Sequence, residues 1–140
     1  MTRLTALGLG LVLAATMACG GSTSNNTVTA PTGNLTTDTF SGTVPVMGLD
    51  FHNFTVTTGG TINATLVTAG PPPTITMGFG IGTPSTTGVC ALLSGAQVAA
   101  SASQTAQLNG SLNAGTYCVA VWDLGNAAGP IAYTVTVAHT

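Results

Sequence analysis

Leu112-Asn113-Ala114-Gly115-Thr116-Tyr117-Cys118-Val119-Ala120-Val121-Trp122-Asp123 joins a turn signal, Asn113-Ala114-Gly115, to a run of aromatic and β-branched residues. Such a run reads as a central β-strand. Strand alternation puts Tyr117, Val119 and Val121 on one face and Cys118, Ala120 and Trp122 on the other. The first face is expected to be core. The second carries a cysteine and the only tryptophan of the chain.

Outward from this strand the same period repeats. Ile75, Met77, Phe79 and Ile81 alternate strictly with Thr76, Gly78, Gly80 and Gly82, which leaves one face almost bare and open to close approach by an aromatic ring or another backbone. A flat, weakly packed strand is the competing reading. Ile131, Tyr133, Val135 and Val137 alternate near the C-terminus, and Ile62, Ala64 and Leu66 share a face within Thr61 to Val67. In Asp50 to Thr57, His52, Phe54 and Val56 fall on one side and Phe51, Asn53 and Thr55 on the other. A first strand is expected over Thr39 to Val46, a short one over Val89 to Leu93 and another within Gln104 to Leu112, with Gly59-Gly60 as a hairpin turn. Ala96 to Ala102 has weak helical propensity. Short strands joined by Gly and Pro turns predict an all-β fold, an antiparallel sandwich or barrel of about eight strands.

Composition narrows the function. Of 140 residues, 44% are hydrophobic and only 3% are charged, against roughly 25% charged in ordinary soluble proteins. Arg3 is the single basic residue. Phosphate backbones and anionic lipids are bound through Lys and Arg, so nucleic acid is not an expected partner. The acids are Asp38, Asp50 and Asp123. Asp50 and His52 share a strand face, and Asp123 and His139 are the other groups able to join them, but the spacing matches no compact ligand motif. No metal site and no cofactor are therefore expected. The chain has no Gly-x-Ser-x-Gly and no Ser, His and Asp set at recognisable spacing, so no catalytic residues are assigned and enzymatic activity is not expected.

The N-terminus points to export. Arg3 precedes an apolar run, Leu4 to Ala15, that is too short for a bilayer span. Thr16-Met17-Ala18-Cys19 resembles the lipobox of bacterial lipoproteins, with Thr16 where that family usually has Leu. The resemblance implies a signal peptide over 1–18 and lipidation of Cys19, hence a membrane partner through the N-terminal lipid and a place in the bacterial cell envelope, at the outer membrane or cell surface. The same residues suit ordinary cleavage and a secreted product. Residues 19–34 are mostly Gly, Ser, Thr and Asn, with one Pro and little to bury, as in a flexible tether, and 35–140 are expected to form the folded domain. With Cys19 assigned to lipid, Cys90 and Cys118 are an even pair in an exported chain and are expected to form a disulfide; two inert thiols are the alternative.

Three landmarks occur in order: Asp50-Phe51-His52-Asn53-Phe54-Thr55-Val56 followed by Gly59-Gly60, then Ala114-Gly115-Thr116-Tyr117 opening the hydrophobic strand, then Ala132-Tyr133-Thr134-Val135. Together they resemble the bacterial pre-peptidase C-terminal domain over Asp38 to Val137. That resemblance implies a jelly-roll-like β-sandwich serving as an accessory module, some members binding matrix polymers such as collagen or chitin and some stabilised by calcium. Three acids are few for calcium, and Cys118 stands where a second aromatic is common. The function expected is a non-catalytic binding or surface-structure module whose partner is an extracellular polymer or protein, with Trp122 as the candidate contact residue. Burial of Trp122 against the disulfide or a loop is the competing expectation. The alternatives in function are a self-associating structural subunit of the envelope and a secreted accessory domain that binds a polymer for a partner enzyme.

Overall fold

A computed structural model describes residues 34–140. The expected signal peptide over 1–18, Cys19 and nearly all of the expected tether over 19–34 lie outside the described residues. The described residues form eight strands: β1 (Thr36–Val44), β2 (Leu49–Val56), β3 (Gly60–Gly70), β4 (Met77–Pro84), β5 (Cys90–Ala100), β6 (Leu108–Leu112), β7 (Gly115–Asp123) and β8 (Ile131–His139). They make two four-stranded sheets, ordered β1-β8-β3-β6 and β2-β7-β4-β5, and every ladder is antiparallel. Within these sheets β1 pairs with β8, β2 with β7, β3 with β6 and β4 with β5. Pairing nested from the chain ends inward is a double strand rolled into two layers, the jelly-roll form of a β-sandwich.

Alternation builds the core. Along β8, Ile131, Tyr133, Val135 and Val137 are buried and the residues between them are not. They meet Val119 and Val121 of β7 and Met77, Phe79 and Ile81 of β4 from the facing sheet. Tyr117 packs at the margin of this core and donates its hydroxyl to the Asn113 carbonyl at 3.1 Å.

The turn at Gly59-Gly60 is not a hairpin, because β2 and β3 belong to different sheets and the turn carries the chain across the core. Gly60 leaves room for Thr140: a Cβ there would collide with the Thr140 side chain and force it to shift. Ala96 to Ala100 is strand rather than helix. The pairing of β4 with β5 jumps from Gln97 opposite Gly80 to Leu92 opposite Gly82, so Leu93 to Ala96 bulge out of register. Gly95, at φ +76°, permits the bend, while Leu93 and Ala96 turn into the core margin.

Antiparallel order sorts the connections. Those after β1, β3, β5 and β7 gather at one end of the sandwich, and the N- and C-terminal ends of the described chain lie at the other. The bond from Asn126 Nδ2 to the Thr76 carbonyl (3.0 Å) ties two loops at the first end, and that from Thr140 Oγ1 to the Thr58 carbonyl (3.1 Å) closes the second.

Candidate functional site

The outer face of the β2-β7-β4-β5 sheet carries the features singled out in the sequence. Since β4 spends its large side chains on the core, Gly78, Gly80 and Gly82 face outward, and each lies beneath a group from a neighbouring strand. A Cβ on Gly78 would fall inside the Trp122 indole, and one on Gly80 would lie 3.3 Å from Trp122 Cζ3 and 2.9 Å from Leu92 Cδ2. The indole therefore rests flat on bare backbone. One on Gly82 would run into the Ala91 backbone carbonyl and sit 2.8 Å from Cys90 Sγ. The bare glycine face is thus a bed for a ring and a cystine.

Cys90 and Cys118 form the expected disulfide, with Cα atoms 5.9 Å apart, inside the usual range. It links β5 to β7 over β4. Cys90, Cys118 and Ala120 make a second small apolar cluster, on which Phe51, Leu92 and Trp122 pack while staying partly exposed. Trp122 is thus both packed and reachable: one face of its ring is on the glycines and its outward side belongs to the surface. The ladder partner of Trp122 is Leu49, so the apolar strip runs on toward the start of β2.

The four groups weighed as metal ligands are divided among three places. Asp123, buried at the end of β7, accepts Met47 N–H at 2.8 Å through Oδ2 and the N–H groups of Gly125, Asn126 and Ala127 at 2.9, 3.1 and 3.1 Å through Oδ1. The Met47 hydrogen bond, opposed by desolvation and aided by the other three, holds this carboxyl below the usual aspartate range. Its role is to pin the β1–β2 turn to the β7–β8 loop. His139 is buried beside the Phe54 ring and lies 3.1 Å from Asp38 Oδ2 through Nε2, at the other end of the sandwich.

Asp50 and His52 do share a face, between the two sheets. Asp50 accepts the Tyr133 hydroxyl at 2.8 Å and Phe51 N–H at 2.9 Å. Burial first, then the hydrogen bond and negative charge of Asp50, push the Tyr133 hydroxyl pKa well above the usual tyrosine range. Gly42 leaves the room for this contact, as a Cβ there would collide with the Asp50 carboxylate. His52 stacks on Phe40 with centroids 5.1 Å apart and planes within 8°. Its Nε2 is buried 4.0 Å from Asp50 Oδ2 and has no hydrogen-bond partner among the described residues. Among the described residues no three His, Cys, Asp or Glu side chains converge.

A separate crevice of about 230 Å³ opens between β5 and β6, lined by apolar Ile62, Ile81, Leu93, Leu108 and Leu112 and rimmed by Ser94, Asn109 and Ser111. No sequence motif marked it; it arises where the β5 bulge parts from the short β6. These features define a disulfide-braced jelly-roll sandwich with an aromatic platform on one outer face. No protein-family model and no curated protein matches this chain.

Proposed function

We propose that the protein is an exported, lipid-anchored, non-catalytic module that binds an uncharged extracellular polymer through the platform of Trp122, Phe51 and Leu92. The observation that carries this reading is the indole laid flat on Gly78 and Gly80 at the molecular surface. A ring fixed by packing loses little further freedom on binding, and its flat apolar face suits the apolar face of a sugar ring or a proline ring. The Cys90–Cys118 bond supports an oxidising compartment. The lipobox-like Thr16 to Cys19 supports anchoring, and the likeness of the three sequence landmarks to the pre-peptidase C-terminal domain supports an accessory role. With no lysine and one arginine in the chain, the partner is recognised by shape and apolar contact rather than by charge.

Retention on insoluble chitin, cellulose, peptidoglycan and collagen tests the binding reading. The wild-type chain is expected to bind at least one of them and Trp122→Ala to bind at least tenfold more weakly. Equal retention of the variant, or no retention of the wild type on any, refutes it. Labelled palmitate should enter the wild-type chain in cells and not Cys19→Ser.

A further inference from the structure

We infer that the end of the sandwich away from the chain termini is a tip that seats in an uncharged lipid surface. Val46, Met47, Leu49 and Leu124 stand there with 47%, 77%, 44% and 48% of their surface exposed. Two connections bring them together. Asp123 accepts Met47 N–H, Asp123 N–H donates to the Gly48 carbonyl at 3.0 Å, and a Cβ on Gly125 would lie 3.6 Å from Met47 Sδ. The exposed side chains of the β1–β2 turn therefore lie against the loop that carries Leu124.

The turn is built to hold Met47 outward. Met47 has φ +56°, a left-handed conformation that residues with a Cβ seldom adopt. A 2.9 Å bond from Gly48 N–H to the Pro45 carbonyl closes the turn, and the Asp123 carboxylate fastens it to the second loop. A large apolar side chain is thus kept in water by a strained backbone, where collapse onto the protein would be the default.

Shape and charge select the occupant. A stable protein interface takes roughly 800 Å² from each partner, and four side chains on two loop tips supply a few hundred at most. A lipid interface asks only for protruding apolar groups. Anionic headgroups gain nothing here, because the described residues contain no lysine or arginine. Asp123, the carboxylate at the base of the tip, is turned inward onto four backbone N–H groups. Behind the tip, Trp122 is the ladder partner of Leu49, and an indole beside an inserted apolar tip is of the kind favoured in the headgroup layer.

The chain from Gly20 onward contains all eight described strands and the single tryptophan, which serves as the probe. With phosphatidylcholine vesicles it is expected to co-sediment and its emission to shift to the blue, with equal binding to vesicles containing phosphatidylglycerol. Met47→Asn combined with Leu124→Gln should lower partitioning at least tenfold, while thermal midpoint and polymer retention stay at wild-type values. Asn is at home in the left-handed region, so the fold is not at risk. Absence of co-sedimentation at millimolar lipid, or unchanged partitioning of the double variant, overturns the inference. So does a concentration-dependent wild-type dimer that the double variant abolishes, which would assign the tip to a second copy. Lipid binding by a wild-type chain that no polymer retains, or whose polymer retention survives Trp122→Ala, would leave the tip standing alone.

Discussion

Gly78→Ala tests the platform at its foundation. The added methyl would occupy the space of the Trp122 indole, so the ring must leave the sheet. If about 100 Å² of ring face is re-exposed, the loss at about 25 cal/mol per Å² is about 2.5 kcal/mol. Replacing a strand glycine by alanine returns about 0.5 kcal/mol through the unfolded chain, which leaves a net cost of about 2 kcal/mol. For a domain of this size that is a fall of roughly 8 °C in melting temperature. Urea unfolding followed by far-ultraviolet circular dichroism measures it in every variant, and Trp122 emission, where the ring is present, should show a red shift in the folded baseline as the ring enters water. The decisive comparison is the cycle with Trp122→Ala: once the ring is gone, Gly78→Ala should be neutral or slightly stabilising, a coupling of about 2.5 kcal/mol. Gly110→Ala, where an added Cβ meets nothing within 4 Å, is the control and should stay within about 0.5 kcal/mol of wild type. An equal cost of Gly78→Ala in both backgrounds would refute the reasoning.

The remaining predictions concern covalent and titratable ties. Reducing Cys90–Cys118, separated by 28 positions, should cost about 3 to 4 kcal/mol on the chain-entropy account, read as a lower urea midpoint with dithiothreitol. Asp123 has a lowered folded pKa, so its contribution is complete above the ordinary aspartate value of 3.8 and is lost as pH falls through the folded value; Asp123→Asn should remove that acid-side dependence in melts between pH 2 and 6. Tyr133 has a raised folded pKa, so its contribution is complete below pH 10.0 and is lost as pH rises beyond it. Tyr133→Phe should cost about 1 kcal/mol near neutrality, discounted because Asp50 is a third exposed, and should flatten the alkaline limb of the stability profile.

Much of the fold was legible because burial on one face imposes a period of two. The inward sets on β4, β7 and β8 are those that alternation picks out, and the bare face of Gly78, Gly80 and Gly82 announced a close neighbour without saying which. Gly59-Gly60 misled because turn residues report that the chain reverses and not which strand will lie beside it. Ala96 to Ala100 misled because alanine favours a helix only where nothing stronger competes, and the β4 edge competes. Asp123 was not legible as a brace, since a carboxylate that accepts four backbone N–H groups looks in sequence like any other acid. The exposed turn was invisible for a similar reason: Met47-Gly48-Leu49 fell between two expected strands as an ordinary connection, and only the left-handed Met47 turns it into a tip.

The nested pairing also sets when the molecule can fold. Only β4 and β5 are paired sequence neighbours, joined through the short Ser85 to Val89 turn; every other ladder joins segments that are distant along the chain. Thr36 faces His139, at the opposite end of the described residues. Zipping must run outward from that central hairpin against rising loop-closure cost, in the slow millisecond-to-second range of high-contact-order β proteins. A nascent or partly translocated chain lacking the nine residues of β8 leaves β1 with no ladder at all, so the first strand made waits for the last.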